Sequence, residues 1–170
     1  MELLIFSDSH GQCEAMSTVY AMQLHSPDAV CFLGDGIRDF ETVDFGSARL
    51  YAVRGNCDWS SLSDSTPTEL LFSALGHTLL LTHGHLHNVK SGLDALCAYA
   101  VSKGADIVLF GHTHQPAELV LPVGREVMGT PLSRPLYLFN PGSIGLCEGE
   151  RSFGTLVLRQ DTVLFSNGRI

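Results

Sequence analysis

The sequence predicts an α/β fold, and three observations lead there. Short apolar runs recur through the first two-thirds of the chain, segments of helical spacing lie between them, and polar residues cluster directly after the runs.

The runs Leu3–Phe6, Ala29–Leu33, Leu50–Val53, Thr78–Leu81 and Ile107–Phe110 are bounded by turn residues and read as buried strands. Cys13–Leu24 has apolar residues at helical spacing after a glycine, and Val89–Val101 repeats the pattern after Asn88, a candidate N-cap. From Ala117 onward the text turns strand-like. Leu119–Leu121, Leu136–Phe139, Gly154–Leu158 and Thr162–Phe165 are separated by Gly, Pro and Asp turns. Between two of these runs, Pro122–Pro135 holds Gly, Pro and two arginines and reads as an extended hairpin tip or rim loop. Sheets sandwiched by helices and closing on antiparallel strands are the expectation. With no internal repeat, low-complexity stretch or linker, residues 1–170 read as one domain.

The chain's 170 residues, 45% of them hydrophobic, suffice to bury a core. A formal charge of −8 with only ten basic residues argues against bulk nucleic-acid binding, which needs clustered Lys and Arg to displace counterions. The amino terminus lacks the basic stretch and long apolar run of an export signal, and no segment approaches the roughly 20 apolar residues that cross a bilayer. Five widely spaced cysteines (Cys13, Cys31, Cys57, Cys97, Cys147) without a C-x-x-C pair suit reduced thiols. A cytoplasmic protein without membrane association is expected, with homo-oligomer formation left open.

The polar residues after the strands narrow the chemistry. Asp8 and His10 follow the first run, Asp35 the second, Asn56 the third, His83 the fourth, and His112 with His114 the fifth. In open α/β sheets ligands bind beyond the carboxyl ends of the strands, so five segments deliver these side chains toward one crevice. Four His, two Asp and one Asn exceed what one tetrahedral ion uses, and two divalent ions fit the count. Asp8 and His10, one position apart in an extended segment, project to the same side and can share an ion, whereas His112 and His114 can reach one ion each. Asp35 is the natural carboxylate bridge between two cations about 3.5–4 Å apart. A nitrogen and oxygen donor set without thiolate suits manganese, iron or zinc better than copper or calcium. His25, His77 and His87 belong to no motif and read as surface or packing residues.

The motifs Asp8-x-His10, Gly34-Asp35, Gly55-Asn56-Cys57-Asp58, His83-Gly84-His85, Gly111-His112-Thr113-His114 and Asn140-Pro141-Gly142-Ser143 together resemble the calcineurin-like metallophosphoesterases, and within them the branch of small YfcE-like phosphodiesterases. The resemblance implies the metallophosphoesterase fold, a four-layer sandwich of two mixed β-sheets flanked by helices. It implies a first metal on Asp8, His10, Asp35 and His114 and a second on Asp35, Asn56, His83 and His112. A water or hydroxide between the metals would attack phosphorus in line, on a small phosphodiester substrate. Two divalent ions are implied, manganese first, with zinc, iron or nickel as alternatives. Asp35, Asn56, Cys57, Asp58 and His85 form the candidate catalytic set, His85 and Asp58 as residues that orient a ligand or merely lie near the site. Cys57 stands where many catalytic relatives have a phosphate-contacting His, although the YfcE-like branch shares the Cys. Two competing functions go with the same fold. One is a non-catalytic scaffold like a subunit of retromer, in which the bridging Asp is Asn and the metal-binding Asn is Asp, unlike Asp35 and Asn56 here. The other is a phosphomonoesterase.

Overall fold

In the computed structural model, which describes residues 1–59, 65–145 and 150–170, the chain begins with β1 (Glu2–Phe6), α1 (Cys13–Ala21), β2 (Ala29–Phe32), α2 (Ile37–Thr42) and β3 (Arg49–Ala52). There follow β4 (Glu69–Ala74), β5 (His77–Thr82), a 3-10 turn at His85–His87, α3 (Asp94–Ser102) and β6 (Ile107–Phe110). The last third is β7 (Pro116–Leu121), β8 (Glu126–Val127), β9 (Thr130–Pro131), β10 (Leu136–Pro141), β11 (Ser152–Arg159) and β12 (Thr162–Arg169). Two five-stranded sheets result, ordered β12-β11-β1-β2-β3 and β4-β5-β6-β10-β7. Both are mixed. β1, β2 and β3 are mutually parallel and β11 runs antiparallel to β1, while β5, β6 and β10 are parallel and β4 and β7 are antiparallel edges.

Alternation along the strands builds the layers. Leu3 and Ile5 of β1 join Leu79 and Leu81 of β5 and Ile107 and Leu109 of β6 in a core between the sheets. Leu4 and Phe6 point the other way, onto Met16 and Val19 of α1 and Ile37 and Phe40 of α2. On the far side, Leu80 of β5 and Val108 and Phe110 of β6 pack on Leu96, Cys97 and Ala100 of α3. Helices, sheet, sheet and helix make the four layers expected, and strands buried on both faces explain why their sequences are continuously apolar.

Four details depart from the sequence reading. The first helix ends at Ala21, short of Leu24, which is exposed. The third starts at Asp94: Asn88 sits in left-handed backbone (φ 52°) closing the 3-10 turn, and Gly92 at φ 148° breaks any helix begun there. β4 and α2 escape the pattern search. β4 is an edge strand with only one protected face, and α2 is a six-residue helix too short to show a period. The Pro122–Pro135 segment does fold back on itself, through the β8–β9 hairpin. Cys13, Cys31, Cys57 and Cys97 are free thiols, and Cys147 lies outside the described residues. Among the described residues no helix is long and apolar enough to cross a membrane.

Candidate metal centre

The carboxyl ends of five parallel strands open onto one place. β1 leads to Asp8 and His10, β2 to Asp35, β3 to Asn56, β5 to His83, and β6 to His112 and His114. The loops are laced together as they leave the sheets: the Asp8 amide donates to the Gly34 carbonyl at 2.9 Å and the His10 amide to the Asp35 carbonyl at 3.2 Å. Asp8, His10, Asp35, His112 and His114 all have positive φ, between 44° and 68°. Non-glycine residues seldom adopt this conformation, and Asp, Asn and His do so more readily than most. The reason Asp8 and His10 share a side is therefore left-handed turn backbone and not the extended alternation inferred from their spacing.

Two groups of ligating atoms form. Asp8, His10 and His114 compose the first, with Asp8 Oδ1 3.1 Å from His114 Nε2 and 3.8 Å from His10 Nε2, and the two imidazole Nε2 atoms 3.3 Å apart. Asp35, His83 and His112 compose the second, with Asp35 Oδ2 3.3 Å from His83 Nε2 and His83 Nε2 3.2 Å from His112 Nδ1. Asp35 also lies within reach of His10 and Cys57, so its carboxylate touches both neighbourhoods. His83 is aimed by its other nitrogen, whose Nδ1 meets the Leu33 carbonyl at 2.7 Å and leaves Nε2 facing inward.

The donor chemistry fits divalent cations. Asp8 Oδ1 and Asn56 Oδ1 are buried without a hydrogen-bond partner, although a buried oxygen normally has one. Imidazole nitrogens that face each other at hydrogen-bond distance, beside carboxylates, form a set of lone pairs with too few protons among them. Four histidines in two groups with carboxylate and amide oxygens match the borderline ions manganese, iron and zinc.

Asp58 does not face these groups. Its carboxylate accepts from the amides of Asp35 (2.8 Å), Gly36 (2.8 Å), Ile37 (3.0 Å) and Gly55 (2.7 Å), tying the loop after β2 to the loop after β3. The Cys57 amide donates to Asp35 Oδ1 at 2.7 Å, and its exposed Sγ lies 3.3 Å from Asn56 Nδ2. Gly55 permits this closeness, since a Cβ there would stand 2.1 Å from Asp35 Oδ1. His85 packs its ring against His83 and His112, with ring centroids at 5.3 Å and 6.2 Å. His77 and His87 lie elsewhere, paired with Asp106 and Glu69, and His25 is exposed.

Residues 1–162 match the model of the calcineurin-like phosphoesterase superfamily domain. The chain belongs to that superfamily. This phosphoesterase domain is 33% identical to the probable metallophosphoesterase YsnB of Bacillus subtilis, over 95% of this chain and 86% of that protein. It is 29% identical to the phosphodiesterase YfcE of Escherichia coli, over 92% of this chain and 87% of that protein. Among solved structures it resembles Vps29 of Entamoeba histolytica complexed with zinc, with TM-score 0.70, 19% identity and 99% of both chains covered, a likeness of fold.

Electrostatics of the candidate centre follow from its burial. Desolvation opposes charge on Asp35, but the hydrogen bond and charge of His83 and the Cys57 amide outweigh it and hold the carboxyl well below the usual range. Desolvation also opposes a proton on His83, and Asp35 and Asp8 more than compensate, raising its pKa above the ordinary value. His112 goes the other way, down to about 4, from burial and then the neighbouring His83 charge, and His85 is lowered for the same two reasons. The Cys57 thiol is pushed up to about 11 by burial and then by Asp35, so it is neutral at physiological pH.

Further residues brace the candidate ligand loops. Ser7 Oγ donates to Asp8 Oδ2, and the His112 amide donates to the same oxygen at 3.1 Å. Gly111 makes room, because a Cβ there would meet Ser7 Oγ at 2.0 Å. Asn140 donates to the Gly111 carbonyl at 2.9 Å and Thr113 Oγ1 at 3.0 Å, and Ser143 Oγ donates to the Asp8 carbonyl at 2.8 Å. The Asn140–Ser143 segment, the last of the motifs in the sequence, thus braces the loops that carry His112 and Asp8. Asp39 was missed altogether. It accepts from Ser9 Oγ at 2.6 Å and the Gly11 amide at 2.7 Å, a role visible only once α2 is folded against the β1 loop.

Proposed function

We propose that this phosphoesterase is a two-metal phosphodiesterase acting on small diesters in the cytoplasm, with manganese as its working ion. The observation that supports it best is the pair of adjacent ligand groups flanked by the orphaned oxygens of Asp8 and Asn56. In this reading Asp8, His10, Asp35 and His114 hold one cation and Asp35, Asn56, His83 and His112 the other. When bound, two such cations neutralise phosphoryl charge and lower the pKa of a water.

The protein's own groups divide the remaining work. His83, oriented by the Leu33 carbonyl, offers one defined lone pair once its proton leaves. His85, with its lowered pKa, is a neutral imidazole at pH 7 that can hydrogen-bond a phosphoryl oxygen or its ester arm without adding charge. Cys57 supplies a neutral thiol where an imidazolium would donate a proton strongly, which favours substrates whose leaving group departs without help. Asp58 positions Asp35 by accepting from its amide.

The test is metal stoichiometry together with hydrolysis of bis(p-nitrophenyl) phosphate. Two manganese ions per chain and metal-dependent release of nitrophenol are expected. Metal binding without hydrolysis of any mono- or diester would favour the scaffold alternative, and preference for p-nitrophenyl phosphate would favour a phosphomonoesterase.

A further inference from the structure

Trp59 is the chain's single tryptophan and is 87% exposed, at the rim of the metal centre. Its backbone is held: the Trp59 amide donates to the Cys57 carbonyl at 3.0 Å, and the preceding Asp58 is fixed by the four amides already named. Trp59 lines two clefts at once. One, of about 250 Å³, includes His10, Asp35, Arg38 and Cys57. The other, of about 490 Å³, includes Arg54, Asn56, Thr68, His85 and Leu86. Both clefts reach ligand residues of the metal centre, His10 and Asp35 in the first and Asn56 in the second.

A phosphodiester has two ester arms that diverge from phosphorus, and here two clefts adjoin the metal centre with the indole of Trp59 and the carboxylate of Asp58 on their common boundary. The second cleft is the larger, and it combines two exposed apolar surfaces, Trp59 and Leu86, with the polar side chains of Thr68, His85 and Arg54. An indole face meets a planar ring by stacking, and the Thr68 and His85 side chains around it suit a ring with heteroatoms at its edge better than a bare hydrocarbon. We infer that Trp59 is a stacking platform that selects phosphodiesters bearing a nucleobase on the ester arm entering the second cleft. The inference rests on the two-metal reading above and adds the substrate class to it.

A single tryptophan makes the site its own reporter. Zinc-loaded protein is titrated with adenosine 5′-monophosphate and with ribose 5-phosphate, which presents the same phosphate without the base, following indole emission and, in parallel, calorimetry. The nucleotide should quench the emission saturably and bind more tightly than the sugar phosphate by about 5- to 150-fold, the range that base stacking on an aromatic residue spans. Trp59→Ala should abolish that preference while leaving ribose 5-phosphate binding and the stoichiometry of bound zinc unchanged, and Trp59→Phe should restore part of it. Equal affinities in the wild type, or a preference that survives Trp59→Ala, would overturn the stacking role alone. If zinc-loaded protein bound neither compound and hydrolysed no phosphoester, the phosphoesterase reading would fall, and the inference with it.

Discussion

Asp58→Asn isolates the contribution of the carboxylate that ties two ligand loops together. Four backbone amides point at its two oxygens at 2.7–3.0 Å. An isosteric amide keeps one oxygen and turns an NH2 group toward the donors facing the other, so two of the four bonds are lost. Hydrogen bonds to a charged group contribute about 1.5–3 kcal/mol each, and partial exposure of Asp58 puts the loss toward the low end, roughly 3 kcal/mol in all. For a domain of this size each kcal/mol moves Tm by about 2–4 °C, which gives a fall of roughly 6–12 °C. Because the Asp35 amide is one of the four donors, the ligand groups should loosen as well, with metal affinity down by about 10–100-fold, as for other residues that orient ligands. Circular dichroism melting of metal-free protein and calorimetric titration with manganese measure the two effects separately. A variant that melts within about 2 °C of wild type and binds manganese equally well would refute the bracing role.

Asp35→Asn should weaken both metal sites and reduce kcat on an aryl diester by at least about 10²-fold, since a charge shared by two cations is lost; two ions at wild-type affinity by metal analysis, with near-normal turnover, would exclude the bridge. His85→Ala should cost less than Asp35→Asn, measured as the ratio of kcat/KM values in the same assay. Cys57→His should raise activity on an alkyl or nucleotide diester relative to an aryl diester, because an imidazole titrating near 6.5 can assist a poor leaving group; an unchanged ratio with both metals bound rejects this. His83 has a raised pKa, so below and around that pKa it bears a proton that a cation must displace. Metal loading should therefore release protons near pH 6.5 and release fewer as pH rises through the folded pKa, seen as a dependence of calorimetric heat on buffer ionisation enthalpy.

The central strands were legible because both of their faces are buried. Leu3–Phe6 and Ile107–Phe110 are apolar without interruption for that reason, and the residues directly after them are where α/β sheets present chemistry. β4 was not legible: Glu69–Ala74 lies on a sheet edge, and Leu71 is exposed. Nor was the late start of α3, since Asn88 in left-handed backbone and Asn88 as an N-cap look the same in a string of letters. The candidate ligands stand in motifs, as does Asp58, but most of the contacts that hold them could not be read from the sequence. Asp39 and the Leu33 carbonyl act across 28 or more residues of sequence, on partners that only the folded loops bring near. The aiming of Asp8 and His10 is a further case, because left-handed backbone, and not strand alternation, sets it.

That left-handed backbone bears on any attempt to make the protein more heat-resistant. Five side chains of the centre sit on it, at roughly 1–3 kcal/mol each, a sum comparable with the roughly 5–15 kcal/mol by which an ordinary domain stays folded. Glycine fits such positions without strain, so His10→Gly or His114→Gly would be neutral to stabilising by up to about 1 kcal/mol in metal-free protein while deleting a ligand. A thermostability screen run in chelator would enrich for these losses, and one run with saturating metal would purge them, because cations that bind only the folded chain add their own binding free energy to its stability. Metal content of the screening buffer would thus decide whether a stabilised descendant of this protein keeps its chemistry.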